Sequence, residues 1–140
     1  MTTVHIARAV GSTESTAAQY RVDVRVGAHQ LIADEPVVAG GGDLGPSPFG
    51  LVVSGLAACT ATTLRKYGDR KGWAITTIEV DVRYDVDVDG RRLIERTITV
   101  PFGLSDEQRS RLAEIAERTP VTLAIRDGTP IATTFQTHGD

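Results

Sequence analysis

The sequence predicts an α+β protein in which antiparallel strands flank one long central helix. Alternating apolar and polar residues run over 19–26 and again over 78–88, which is the period-two pattern of half-buried strands. Between them, residues 47–71 carry the signals of both ends of a helix. The predicted order is β-β-β-α-β-β-α-β, with a largely antiparallel sheet.

Length and composition exclude several classes of protein. A chain of 140 residues predicts a single domain over residues 1–140, and 41% apolar with 24% charged residues is an ordinary globular mixture. A net charge of -3 and an aromatic content of 5% argue against nucleic acid as a partner. The uncharged run over 44–64 contains two prolines and three glycines, so it predicts a buried helix and no membrane partner. The N-terminus lacks signal-peptide features, and we expect a cytoplasmic protein.

The first third of the chain predicts strands. Residues 2–8 are rich in β-branched types, and residues 19–26 form a hairpin with residues 29–33. Residues 39–48 are rich in glycine and proline. Because no Lys-Ser/Thr pair follows them, they predict a turn-rich connection and not a phosphate-binding loop.

The central helix is predicted to begin after Ser47, a suitable N-cap, with Pro48 in its first position. It ends at Lys71, because Gly72 suits the residue that follows a helix. Residues 51–61 are apolar or small on every side, which indicates a central helix. At about 24 residues it spans roughly 36 Å, so a partner subunit is the expected cover.

The second half opens with a hairpin. Residues 78–88 place apolar side chains on one face, and residues 93–100 return as the paired strand. Asp89 and Gly90 between them predict a two-residue type I′ turn.

The last third predicts a helix and a strand. Ser105 and Gln108 form a capping box, which opens a helix to about Arg118. Residues 121–125 form a short turn or helix. Residues 131–136 form the final strand.

The chain has one cysteine, Cys59, so it cannot form an intrachain disulfide or a cysteine-based zinc site. Its three histidines are far apart, and the sequence predicts no metal and no other cofactor. Cys59 lies about a dozen residues into the predicted helix, beyond the reach of the helix dipole. It is either an inert core residue or a thiol activated by a cation from another element, for which Arg21 and Arg25 are the candidates by type.

Other polar and aromatic residues favour structural roles. Asp34, Glu35 and Asp43 surround the glycine-rich loop, where turn capping is favoured over ligand binding. Tyr67 and Trp73, near the end of the central helix, are predicted to be packing residues.

The segment from Asp34 to Trp73 contains an ordered series of motifs. It reads DEP, then GG-x-D-x-GPSP, then an apolar stretch ending AACTATTLRKY, then RKGW. This series resembles the OsmC/Ohr family of osmotically inducible and organic-hydroperoxide-resistance proteins. The resemblance extends over nearly the whole chain. It implies an α+β fold and an intertwined homodimer whose long helices pack centrally against two sheets.

The resemblance also implies a thiol peroxidase that acts on organic hydroperoxides. Cys59 matches the attacking thiol, and Arg21 is the nearest match to the arginine that activates it, with Arg25 as the other candidate. The chain departs from the family pattern at two places. Thr119 stands where a second cysteine is expected, and Phe49-Gly50 stands where a glutamate orients the arginine. A two-cysteine cycle within one chain is therefore excluded.

Two functions remain open. The first is a one-cysteine peroxidase that uses an external thiol or dithiol as reductant, with Phe49, Val52 and Leu56 as the lining that favours small organic hydroperoxides. The second is a catalytically inactive homodimer that binds a small apolar ligand.

Overall fold

The structure is a computed structural model that describes residues 3–14 and 19–138. The chain divides into two units, Met1–Ser54 and Gly55–Asp140, and the long helix α1 (Pro48–Lys71) begins in the first and ends in the second. Apart from a short 3-10 helix at Val37–Ala39, the order of elements is β-β-β-α-β-β-α-α. The predicted α+β class is confirmed.

The first unit contains a three-stranded antiparallel sheet, with β1 (Ala9–Ser12), β2 (Val22–Val26) and β3 (His29–Ala33) in that order. The turn at residues 27–28 joins β2 to β3, as the sequence predicts. The valines of β2 are half-buried and the charged residues between them are exposed. The period-two pattern therefore marks a sheet that buries one face.

The predicted strand over residues 2–8 is wrong for the residues that the structure describes. Thr2 lies outside the described residues, and residues 3–8 are not in a strand. The register explains the difference. Ala9 already lies opposite Val26, the last residue of β2, so the chain before Ala9 runs past the end of the hairpin and has no β2 residue to pair with.

Helix α1 has the predicted ends. The Ser47 hydroxyl accepts a hydrogen bond from the backbone N–H of Gly50 at 3.0 Å, and Pro48 is the first helical residue. At the other end Gly72 adopts a left-handed φ of 70°. The N–H of Trp73 then donates to the Gly68 carbonyl at 2.9 Å, and this pattern closes the helix as a Schellman motif.

One stripe of α1 is buried and the opposite side is exposed. The buried residues lie at helical spacing: Leu56, Thr60, Leu64, Tyr67 and Gly68. Gly55, Ala58 and Thr62, on the other side, are exposed. The described chain therefore leaves one face of the helix uncovered, and cover by a partner subunit stays a prediction.

In the second unit, β4 (Glu79–Val86) and β5 (Arg92–Thr99) form an antiparallel hairpin. The predicted type I′ turn is wrong, because it requires left-handed φ at both central residues, and of Asp89 and Gly90 only Gly90 has one. Asp87 explains the wider loop. Its carboxylate accepts from the N–H groups of Asp89 and Arg91 at 2.9 Å each, which fixes a three-residue turn.

Helix α2 (Asp106–Ala116) follows the predicted capping box, in which Ser105 and Gln108 bond reciprocally. Helix α3 (Pro120–Asp127) covers residues 121–125, where a short turn or helix is predicted, and extends beyond them at both ends. The core of this unit joins α1, the residues after it, and α2. Its buried members are Leu64, Tyr67, Ile75, Leu104, Leu112 and Ala116.

The predicted strand over 131–136 is wrong. Residues 128–138 have no regular structure and are exposed. A strand forms only by pairing, and no strand of the described chain lies beside this segment.

Among the described residues, no helix combines the length and apolar character that a membrane span requires, and this includes the uncharged run over 44–64.

Candidate functional site

Cys59 lies near the middle of α1, one position before the fully buried Thr60. The thiol is free and half-buried. Because it lies three turns from the helix start, the partial positive charge there does not stabilise its thiolate. An ionised Cys59 needs a cation that other elements supply.

Three apolar residues of α1 were predicted to line a substrate pocket. Phe49 and Val52, in the first turns, are 51% and 41% exposed. Leu56, one turn before Cys59, is buried and lines a cavity of the second unit. Phe49 and Val52 belong to the first unit and Leu56 to the second, so a common lining stays a prediction.

Arg21 and Arg25 both lie in the first unit. Arg21 directly precedes β2, and Arg25 lies within it. The Arg21 guanidinium donates to the Asp23 carboxylate from Nη2 at 3.0 Å and from Nε at 3.3 Å. Cys59 lies in the second unit, so the expected approach of either arginine to the thiol stays a prediction.

Sequence reasoning missed a buried arginine, Arg96 on β5. Its side chain is 12% exposed and reaches three helices. Nη1 donates to the hydroxyls of Thr60 at 3.0 Å and Thr122 at 2.8 Å, and Nη2 donates to the Ala116 carbonyl at 2.9 Å. Arg96 therefore connects β5 to α1, α2 and α3.

Thr119, which occupies the place of the family's second cysteine by resemblance, belongs to the same cluster. It is fully buried, and its hydroxyl hydrogen-bonds to that of Thr122 at 2.6 Å. A threonine at this position thus has a structural partner in the second unit.

The alternation of β5 is the sequence signal from which the buried arginine could have been found. Arg96 shares the face of Ile94 and Ile98, where an apolar residue is expected.

A cavity of about 620 Å³ adjoins this cluster, within the second unit. Its polar lining consists of three arginines, a glutamate, a tyrosine and a threonine: Arg92, Arg96, Arg126, Glu117, Tyr84 and Thr122. Its apolar lining consists of Leu56, Leu93, Ile94 and Ile125. The cavity is therefore amphipathic and carries more positive than negative charge.

Asp34, one of the acidic residues of the first unit, has the turn-capping role that the sequence favours. The buried Asp34 carboxylate accepts from the N–H groups of Glu35 at 2.7 Å, and of Gly42 and Leu44 at 3.1 Å each. Burial alone raises the pKa of this carboxyl. The three N–H donors and the positive charge of Arg21 outweigh burial, so the pKa lies below its ordinary value.

No three metal-binding side chains lie together anywhere among residues 3–14 and 19–138.

Tyr67 and Trp73 are packing residues, as predicted. Their rings meet edge to face, with the ring centroids 5.5 Å apart.

The fold and this site define a class, an α+β protein with a single cysteine halfway along its longest helix. The family model described as OsmC-like protein matches residues 40–134, and the chain belongs to that family. The resemblance seen over residues 34–73 is confirmed. No curated protein is a significant match to the sequence.

Solved structures share the fold. A putative osmotic stress induced and detoxification response protein from Psychrobacter arcticus is 18% identical, with a TM-score of 0.70 over 93% of this chain and 92% of that one. An organic hydroperoxide resistance protein from Elizabethkingia anophelis is 21% identical, with a TM-score of 0.66 over 90% and 91%. The protein OhrB of Bacillus subtilis, of the same description, is 24% identical, with a TM-score of 0.58 over 87% and 91%.

Proposed function

We propose that this OsmC-like protein reduces organic hydroperoxides at Cys59, with an external thiol as reductant, and so contributes to defence against oxidative stress. The observation that carries the proposal is the single free, half-buried cysteine on the long helix of an OsmC-like fold. The names of the structures from Elizabethkingia anophelis and Bacillus subtilis support the substrate class.

The reaction needs only one sulfur of this chain. The Cys59 thiolate attacks the terminal oxygen of the hydroperoxide, the O–O bond breaks, and the alkoxide leaves as an alcohol after it takes a proton. Cys59 is then a sulfenic acid. One external thiol condenses with it and releases water, and a second thiol attacks the mixed disulfide and restores the Cys59 thiol. An external dithiol supplies both sulfurs.

Arg21 is the cation that we assign to the thiolate. A nearby guanidinium favours the charged form of a thiol and lowers its pKa. The carboxylate of Asp23 supports this role, because it binds the Arg21 guanidinium through two donors. We assign to Asp23 the role of orienting Arg21, in place of the glutamate that the resemblance leads us to expect at Phe49-Gly50.

The substrate is an organic hydroperoxide, because the side chains assigned to its binding are apolar. Leu56 lies one helical turn before Cys59, and Phe49 and Val52 lie on the first turns of the same helix. Apolar side chains favour a substrate with a hydrocarbon portion over hydrogen peroxide. These three residues complete the proposed site.

The working unit in this proposal is a homodimer. Gly55, Ala58 and Thr62 leave a small, uncharged and exposed strip along α1. Small residues allow another helix or strand to approach closely. Large apolar side chains elsewhere are also exposed, including Val4, Ile6, Val38, Ile131 and Phe135. A second copy of the chain is the proposed cover for such surfaces.

A second candidate function is favoured by one observation. Leu56 faces a cavity of about 620 Å³, which is large enough for a small ligand. A non-catalytic dimer that binds such a ligand has no need of an ionised Cys59.

The test is a steady-state assay with cumene hydroperoxide and either dithiothreitol or dihydrolipoamide. We expect turnover by the wild type, no turnover by Cys59→Ser, and one added oxygen on Cys59 in the mass spectrum of peroxide-treated protein. Equal rates for the wild type and Cys59→Ser would remove the peroxidase proposal.

A matched pair of variants tests the activating cation. The rate at which iodoacetamide alkylates Cys59 at pH 7 reports how reactive the thiol is. We expect Arg21→Gln to slow this alkylation about tenfold, and Arg25→Gln to leave its rate unchanged. A wild-type rate no faster than that of the urea-unfolded protein argues against peroxidase function. The reverse behaviour of the two variants assigns the role to Arg25.

A further inference from the structure

The cavity of the second unit contains two arginines from one face of β5, which they share with Ile94 and Ile98. Arg92 is exposed at the start of the strand, whereas the Arg96 side chain is 12% exposed and stands where a strand normally places an apolar residue. Charged side chains on a core-facing surface are costly unless they are paired. Positions that break the strand pattern in this way are where function is expected.

The three arginines of the cavity are held in place by the protein. Arg96 bonds to Thr60, Thr122 and the Ala116 carbonyl. Arg126 donates to the carbonyl of Glu117 at 2.9 Å and to its carboxylate at 2.5 Å.

The remaining arginine is held by a tyrosine. Arg92 donates from Nη1 to the Tyr84 hydroxyl at 3.0 Å. Guanidinium groups that are positioned before a ligand arrives lose less entropy on binding it.

The positive charges outnumber the negative ones. Glu117 is the one carboxylate in the cavity lining, and it lies 3.7 Å from Arg96 as well as against Arg126. The lining itself therefore carries three guanidinium groups and one carboxylate. An anion entering this space meets a favourable potential.

The rest of the lining is hydrocarbon. Leu56 is buried at the cavity, and Leu93, Ile94 and Ile125 complete its apolar part. The volume of about 620 Å³ is in the range of small-molecule sites, roughly 300–1,000 Å³. A ligand that matches both parts of the lining has one anionic group and an apolar body.

We propose that this cavity binds an amphiphilic carboxylic acid, with the carboxylate held by Arg92 and Arg126 and the hydrocarbon portion against Leu56, Ile94 and Ile125. Guanidinium groups pair with carboxylates through two parallel hydrogen bonds, which makes a carboxylate the matching head group. Arg96 adds positive charge from deeper in the cluster. This is the cavity of the second candidate function, and it shares Leu56 with the proposed hydroperoxide lining. Its arginines lie within the second unit, and binding of the carboxylate does not require the Cys59 thiol.

Calorimetric titration with decanoate tests the proposal, with decanol and decyltrimethylammonium as the neutral and cationic probes. We expect one decanoate per chain and binding that weakens as salt increases. The other two probes do not bind. Arg92→Gln and Arg126→Gln each weaken decanoate binding at least tenfold.

The matched control is Arg91→Gln, which removes an exposed arginine beside Arg92 that lies outside the cavity lining. We expect it to bind decanoate as the wild type does. No decanoate binding by wild-type protein, decanol binding as tight as decanoate binding, or equal affinities for Arg91→Gln and Arg92→Gln each overturns the proposal. Cys59→Ser must retain decanoate binding, which separates this site from the peroxidase proposal.

Discussion

At the scale of single residues, Asp34 organises the glycine-rich loop that leads into α1. Its carboxylate is buried and accepts three backbone hydrogen bonds, from Glu35, Gly42 and Leu44. Because these bonds favour the ionised form, the pKa of Asp34 is below its ordinary value in the folded protein. The same group in the unfolded chain titrates near 3.9. Its contribution to stability is therefore complete above that pH and is lost as pH falls through the lower, folded-state pKa.

We predict that Asp34→Asn lowers the urea midpoint at pH 7, because an amide has one acceptor oxygen and leaves at least one of these N–H groups without a partner. The difference from wild type stays constant between pH 5 and 8 and narrows below about pH 4. Asp43→Asn is the control, since Asp43 is exposed and has a left-handed φ of 53° that asparagine also tolerates. A pH-independent difference, or an equal loss in Asp43→Asn, contradicts this account.

The residue type at a single position is enough to predict some members of the candidate site from the sequence. Cys59 was found because it is the only thiol of the chain, and Asp34 because acidic residues cap turns. The Arg96 cluster was missed, because Thr60 and Thr122 reach it from distant parts of the sequence. The alternation of β5 marks Arg96 as an unusual charge on the face of Ile94 and Ile98, but nothing near Thr60 or Thr122 in the sequence identifies them as its partners.

At the scale of elements, the glycine-rich loop lies directly against β3. The N–H of Asp34 donates to the Pro46 carbonyl at 3.1 Å. A Cβ on Gly45 would lie 1.9 Å from the Ile32 carbonyl oxygen, which is backbone and cannot move aside. Glycine at this position therefore permits the close approach of the loop to the strand.

We predict that Gly45→Ala destabilises the protein by about 3 kcal/mol, because it separates the loop from β3 and breaks the bond between Asp34 and Pro46. Gly103→Ala is the control, because a Cβ there meets no atom within 4 Å. Its free energy of unfolding should stay within roughly 1 kcal/mol of wild type. Chemical denaturation of both variants provides the measurement, and a Gly45→Ala protein as stable as Gly103→Ala refutes the packing argument.

The elements that the sequence predicted correctly are those with local causes. Helix α1 has both of its end signals, and the β2–β3 hairpin has its alternation and a short turn. The strand expected over 131–136 failed because a strand needs a partner edge, which its own residues do not specify. The turn after β4 failed because the side chain of Asp87 selected a wider loop than the Asp-Gly pair alone indicates.

At the scale of the whole molecule, the exposed face of α1 is uncharged in its earlier turns and charged in its later ones. Gly55, Ala58 and Thr62 are small and uncharged, whereas Lys66 and Asp69 continue the same face with charges. The proposed contact with a second copy therefore lies along the first two-thirds of the helix.

We predict a mass near twice 15.0 kDa in sedimentation equilibrium. Ala58→Glu, which places a charge in the uncharged strip, shifts the equilibrium to the monomer, because an unpaired charge in an interface is costly. Lys66→Glu keeps the dimer, since that part of the face already carries charge. A wild-type monomer, or an Ala58→Glu dimer as tight as that of Lys66→Glu, shows that this face is not the interface.

Thr119 has a consequence for any attempt to introduce a second thiol into the chain. Its hydroxyl bonds to Thr122, which in turn accepts from Arg96, and all of this lies in the interior of the second unit. A thiol is a weaker hydrogen-bonding group than a hydroxyl, so Thr119→Cys disturbs the whole cluster. A second sulfur at this position therefore comes with a loss of stability. Any attempt to build a two-thiol version of this protein has to repack the surroundings of Thr122 and Arg96 first.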